Sequence, residues 1–433
     1  MNKEKLIGLT YLILLSIVGF IHSSKVVDVV GIQWYYLSYV NLFFFIFIIF
    51  RKFKAKSVSG VTPFLSNPLN KMYFFFFLIC GFSFIFSINY AVSLVAISKL
   101  FITLSFLFII NELEISKYLK IEHVAIVFSV CLVVEVWMSI RPYFMIIEQT
   151  DFTFNMSGTF LKGTTGNKNI TSASIAFKLP FLYLLIFQTK KKYFLIPLLL
   201  ICSFVYFNLI LLSSRAIILS ITLCSIFFVI GSLISTFRTG SDFKSFLYRI
   251  SLYLLPIIIS SIYAYSVIKD ESIKIENRVS TINTADISAS TRIRYYEKGI
   301  NYFLENPFSG AGIGNFQLIG IYLDSQNIES YVVPYVAHND FIELLTETGI
   351  LGALFYLAYI LLTLFFLFTI FFKSSDEKIH GKVIILTLPF IVYFIDSNLN
   401  FPLYRPIMQA SLIIYMILVY SIYNRVITER KEL

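Results

Sequence analysis

The chain has 433 residues, of which 58% carry apolar or aromatic side chains and only 14% are charged. A water-soluble chain of this length carries roughly a quarter charged residues, so the composition excludes a soluble globular protein, and its long apolar blocks exclude a disordered one. The net charge of +10 arises from 35 Lys and Arg against 25 Asp and Glu; the basic residues cluster between apolar blocks, so their meaning is topological and no nucleic acid is expected as a partner.

A helix needs about 20 mostly apolar residues to cross a hydrocarbon core of roughly 30 Å. In chain order, twelve stretches qualify: 6–22, 33–50, 72–89, 92–111, 122–140, 172–189, 193–213, 216–236, 250–268, 341–372, 383–401 and 404–423. The first, after Met1-Asn2-Lys3-Glu4-Lys5, has the look of a signal peptide. No small-x-small cleavage site follows it, so it is expected to remain as a span. Lys99 and Lys178 lie within the fourth and sixth stretches and are expected to snorkel to the nearer end. The block 341–372 exceeds one span, and its polar start, 343–349, is expected at the membrane interface. Cys80, Cys131, Cys202 and Cys224 all fall inside apolar stretches and read as small buried hydrophobes, with no disulfide framework or zinc site.

Twelve crossings put both termini on one side. The segments 1–5, 51–71, 112–121, 190–192, 237–249, 373–382 and 424–433 hold 21 of the 35 basic residues, which makes that side cytoplasmic, N-in and C-in. Two segments on the other side are too long for turns, 141–171 and about 269–340. The chain thus divides into nine transmembrane helices over 1–268, a large periplasmic loop over 269–340, and three further helices over 341–433. The expected fold is an all-α polytopic membrane protein of about 12 transmembrane helices. Within the loop, residues 290–304 place Ile293, Tyr296, Ile300, Phe303 and Leu304 on one face, the spacing of an amphipathic helix that lies on the bilayer or caps the bundle.

The candidate chemistry gathers around this loop. In Ala337-His338-Asn339-Asp340, the spacing of Asp340 and Glu343 is that of a capping box, so a helix is expected to start at residue 340 with His338 just ahead of it. The positive end of a helix attracts an anion such as phosphate and keeps a nearby imidazole neutral, as a general base must be; an interfacial histidine bonded to a carbonyl is the plainer alternative. Arg215, between two apolar runs, suits a planar multi-oxygen anion such as a diphosphate, or else the lipid headgroups. Arg292 and Arg294 are two apart and so point in different directions on a helix; a basic helix held against anionic lipid explains them as well. Gly310, Gly312 and Gly314 let the backbone bend sharply or approach a ligand closely, but form no dinucleotide fingerprint. No metal-ligand cluster, Walker loop or Ser-His-Asp order is present. Glu135 and Asp396 lie within spans and have no evident partner.

Taken together, 163–169, Ser214-Arg215, Arg292 with Tyr296, Asn306-Pro307 with Gly310, Gly312, Gly314 and Phe316, then Ala337-His338-Asn339 with Glu347, Gly349 and Gly352, resemble the O-antigen ligase and polymerase superfamily. The resemblance covers about 160–360. It implies a GT-C-like, metal-independent inverting glycosyltransferase of the bacterial inner membrane, needing no cofactor and acting on the periplasmic face. The donor would be a glycan on undecaprenyl diphosphate, and the acceptor lipid A–core in a ligase or another lipid-linked glycan in a polymerase. Membrane lipids are its other partners. By position, His338 matches the family's essential histidine and Arg215 and Arg292 its diphosphate-holding arginines, with Arg294, Asn339 and Asn169 in support. Lys168 stands where Pro is common in that family, and Tyr296 where Trp is common. The ligase branch fits the contexts of His338 and Arg215 better. A reading of another class, a secondary transporter, lacks paired broken segments in the two halves.

Overall fold

The computed structural model describes residues 3–22, 28–55, 61–269, 287–324 and 336–431, and among these it is helical with no strand. The helices are α1 Lys3–Ser16, α2 Val29–Ala55, α3 Val61–Ser66, α4 Pro68–Ser83, α5 Tyr90–Glu112, α6 Ile115–Tyr118, α7 Ile121–Ile147, α8 Phe154–Phe160 and α9 Lys168–Gln188. They continue with α10 Lys192–Leu212, α11 Arg215–Thr239, α12 Phe243–Val267, α13 Ile287–Glu305, α14 Phe316–Asp324, α15 Asp340–Lys373, α16 Glu377–Leu399 and α17 Pro406–Lys431. Helices predominate for a physical reason: in hydrocarbon, every backbone polar group must find its partner within its own segment or a closed barrel.

Eleven of these helices are long and apolar enough to cross a membrane, so the chain is a multi-pass all-α membrane protein. The difference from the twelve expected lies at the first stretch. There α1 gives way to a 3-10 turn at Ile17–Phe20, and the continuous α-helix is too short to be counted. The two ends of the described chain nevertheless meet: Glu4 pairs with Arg51 (2.7 Å), Tyr118 Oη donates to Glu4 O (3.3 Å), and Ser421 Oγ donates to Ser116 O (2.5 Å). The opposite end of the bundle carries the longer connections and is called the loop-rich end below.

Helices α9, α16 and α17 are the most enclosed. Small residues in α9, Ser172, Ala173, Ser174 and Ala176, let its neighbours approach closely, the usual device where apolar solvent supplies no drive for helix association. Lys178 does not snorkel. It lies midway along α9, fully buried, and its Nζ donates to Glu135 of α7 (2.7 Å) and to Ser174 Oγ (2.5 Å). Ser174 Oγ in turn donates to the other Glu135 oxygen (2.9 Å). Glu135 therefore has a partner, found 43 residues away, and the triad fastens α7 to α9. The four cysteines are free and buried.

Helix α13 caps the bundle, but with another face than its apolar periodicity suggests. Tyr295 is buried, and Gly299 crosses α15 so closely that an added Cβ would lie 2.8 Å from Thr346 Oγ1. Ile293, Ile300 and Leu304 face outward instead. The aromatic Tyr295 and the notch at Gly299 fit the crossing better than three branched side chains could.

Stranding the Glu135 carboxylate with Lys178→Met is expected to cost about 3–5 kcal/mol of stability. The double variant Glu135→Leu/Lys178→Met should recover most of that loss. Unfolding midpoints of the three proteins in detergent check the sign and size of the coupling.

Candidate functional site

At the loop-rich end α15 begins at residue 340 as expected, but its cap differs from the expected one. Asn339 is the N-cap, its Oδ1 accepting the N–H groups of Phe341 (3.0 Å) and Ile342 (3.1 Å). Asp340 and Glu343 do not form a capping box. With Glu347 they line one side of the first turns, and each is buried and accepts a backbone N–H from a different segment. Asp340 accepts from Leu403 (3.1 Å), Glu343 from Ala337 (2.7 Å), and Glu347 from Phe316 (2.8 Å). Glu347 also accepts from Tyr404 Oη (2.9 Å).

This first part of α15 ends at Gly349, whose φ of 67° and ψ of −170° interrupt the helix. In an unbroken helix Ile350 N–H would bond Thr346 C=O. Here Ile350 N–H bonds Pro307 O (2.9 Å), and Thr346 O receives Ala311 N–H (3.0 Å). The glycine loop supplies both missing partners. Its closeness explains the glycines: Gly310, with φ of 60°, has no room for a methyl, which would sit 2.4 Å from the Glu347 backbone. The alternating glycines thus bring the backbone against another helix rather than against a ligand. The loop's far side is held by Ser93 Oγ, which donates to Ile313 O (2.7 Å), and by Asn89 N–H to Asn315 Oδ1 (3.0 Å).

His338 sits between these attachments in the left-handed region, φ 58°, which only a few non-glycine residues adopt. Its carbonyl accepts from Tyr296 Oη of α13 (3.2 Å), which also reaches Asn398 O (3.3 Å). Burial, then the charges of Arg292 and Arg405, lower the imidazole pKa to about 4. The group is neutral at pH 7, and burial and two guanidiniums contribute to this beside the helix end that the sequence suggested. Among the described residues its Nδ1 has no hydrogen-bond partner.

Arg292 lies one turn before Tyr296 on α13, half-buried, where its charge reaches both the phenol and the imidazole. Arg294 is exposed on another side of the helix and acts on Lys298. Arg215 opens α11, which runs antiparallel to α16, with Cys224 Sγ bonded to Leu388 O (3.7 Å) and Ser235 to His380 (3.2 Å). Carried nine residues outward, this register brings Arg215 level with Ser397 of α16. The Phe177–Tyr393 ring contact likewise puts Asn169, at the start of α9, level with the end of α16. Thus His338 and Arg292 lie within electrostatic reach of each other, Arg215 and Asn169 lie at the same depth around the end of α16, and Arg294 points elsewhere.

Sequence reasoning missed the turn after α16. There Arg405 is 1% exposed, and its Nη1 donates to Asp396 Oδ2 (3.2 Å). Asn400 Nδ2 donates to the other Asp396 oxygen (2.7 Å). The guanidinium lies 4.2 Å from the centre of the Phe401 ring, and that ring meets the His338 imidazole edge-on at 5.4 Å and 71°. Asp396 therefore has a partner, nine residues on. The available signal was a lone arginine between Pro402 and Pro406 at a span end. Among the described residues no group of three or more His, Cys, Asp and Glu is placed to hold a metal ion.

These features define a multi-pass membrane protein with a half-buried neutral imidazole among guanidiniums at one end of its helix bundle. Residues 198–357, somewhat more than a third of the chain, match the family model described as O-Antigen ligase, and this match supports a place in the O-antigen ligase-related superfamily. None of the curated proteins matches it. The matched segment contains Arg215, Arg292, the glycine loop and His338, and stops short of Phe401 and Arg405. The match suggests a glycosyltransferase-like membrane enzyme and, in general terms, lipid-linked glycan and lipid acceptor substrates.

Gly310→Ala adds a methyl where backbone already stands and in a left-handed conformation, and is expected to cost about 3 kcal/mol or more. Gly381→Ala, inside α16 where a methyl meets nothing within 4 Å, should leave stability unchanged or raise it by up to about 1 kcal/mol. Thermal unfolding of the two variants in detergent measures the difference.

Proposed function

We propose that the protein transfers a glycan from undecaprenyl diphosphate to a sugar hydroxyl on lipid A–core, as an O-antigen ligase, at the periplasmic face of a bacterial inner membrane. The observation that carries this reading is the neutral imidazole of His338 beside Arg292, inside the segment that matches the O-antigen ligase description. In this reaction the acceptor oxygen attacks the anomeric carbon, and the bond from that carbon to the diphosphate oxygen breaks. The hydroxyl proton passes to His338, and the polyprenyl diphosphate leaves with the electron pair. A single displacement of this kind inverts the anomeric centre.

Arg292 and Arg215 take the diphosphate. A guanidinium offers a planar fork to phosphate oxygens, and its charge offsets the negative charge that grows on the leaving group. Two such groups supply that compensation without a metal ion. The diphosphate also acts on the base. The free imidazole binds a proton weakly because of its burial and, after that, the nearby cations; an anion between them raises its proton affinity at the moment the hydroxyl must be deprotonated. Of the 35 basic residues, 20 lie in described parts of segments at the opposite end of the bundle, which supports the assignment of the loop-rich end to the periplasm.

His338→Ala, Arg215→Ala and Arg292→Ala are each expected to lower transfer at least a hundredfold while the protein stays in the membrane. Lipopolysaccharide gels of cells carrying each variant read this directly. Core without polymer marks a lost ligase, whereas core bearing one repeat unit would assign a polymerase.

The base is active when neutral, so kcat/KM should be level above pH 6 and fall as pH drops through about 4. The midpoint in kcat, which reports the donor complex, should lie higher. Excess EDTA in the same reconstituted assay should leave the rate unchanged.

A further inference from the structure

We propose that Arg405 is a positioning residue for His338: anchored by Asp396, it holds the Phe401 ring edge-on against the imidazole and so fixes where the imidazole points. This rests on His338 being the group that meets the acceptor hydroxyl, and goes beyond it by naming what holds that group in place.

A fully buried guanidinium is costly unless paired and packed. Arg405 is both, by Asp396 on one side and the face of Phe401 on the other, a favourable cation–π arrangement. The turn that carries it is tied twice more to its surroundings. Leu403 N–H bonds Asp340, two residues beyond His338, and Tyr404 Oη bonds Glu347. The Phe401 ring therefore reaches the imidazole on a turn whose position is set by α15 itself.

No hydrogen bond from the described residues fixes the His338 Nδ1, so packing must orient the ring, and Phe401 provides its aromatic contact. Among the described residues, the charged and titratable groups around the imidazole are Arg292 and Tyr296 from α13 and Arg405 from the turn with Asp396 behind it, with Asp340 two residues on in the chain. Of these, Arg405 is the one joined to the imidazole both through an intervening ring and through its charge.

The chain has four histidines, so full-length protein with isotope-labelled histidine in lipid nanodiscs allows His338 to be followed by NMR, its signal identified by His338→Gln. Removing the cation in Arg405→Met should raise the His338 titration midpoint by about one pH unit and move the imidazole C–H shifts. Arg405→Lys, which keeps the charge but not the planar stack, should restore the midpoint and leave the shifts displaced. Phe401→Leu should displace the shifts and lower kcat for glycan transfer about tenfold with KM unchanged.

Wild-type shifts and midpoint in Arg405→Met would overturn the proposal. If that variant does not reach the membrane, unchanged shifts in Phe401→Leu would overturn it equally. The titration needs no substrate, so it judges the hold on His338 even if His338→Ala retains transfer and the catalytic reading fails.

Discussion

The arrangement of the loop-rich end depends on one hydrogen bond that is not made. At Gly349 the α15 helix breaks, and the amide of Ile350 and the carbonyl of Thr346 separate. Both lie deep in the protein, where an unpaired backbone group costs about as much as a lost hydrogen bond. The glycine loop satisfies them through Pro307 O and Ala311 N–H. That exchange docks the loop, and the loop brings the C-terminal end of α13 into place, which in turn sets Arg292 and Tyr296 beside His338.

The turns before the break carry the second half of the arrangement. Asp340, Glu343 and Glu347 each hold an amide of a different segment, so three separate stretches of chain converge on one short helical face. A carboxylate accepts more strongly than a neutral group, and a buried one must find such partners to be tolerated. Each of the three acids therefore has an architectural task. The same economy of charge appears in the bundle interior, where Glu135 and Lys178 join α7 to α9 with Ser174 completing the set.

The spans were legible because membrane helices announce themselves by length and apolarity within a single segment. His338 and Arg215 could be singled out because each is a polar residue at the margin of an apolar run, and Arg292 because it lies on an amphipathic stretch of the long loop. What could not be read was anything decided by pairs distant in the chain. Lys178 and Glu135 are 43 residues apart, and nothing in either neighbourhood distinguishes a paired lysine from a snorkelling one. Arg405 was hidden by its own surroundings, since the apolar stretches before and after it merge into what looks like two adjoining spans. Which face of α13 packs on the bundle was left open for a related reason. Periodicity ranks residues by hydrophobicity, whereas the crossing with α15 was decided by the absence of a side chain at Gly299.

The contact between the imidazole and the turn after α16 has a consequence for anyone wishing to transplant this site. A chimaera that grafts residues 198–357 into another scaffold would import His338, Arg215, Arg292 and the glycine loop. It would leave behind the aromatic ring that stands against the histidine, and the guanidinium and aspartate that stand behind the ring. The smallest portable unit is therefore discontinuous, and has to include the stretch from Asp396 to Arg405.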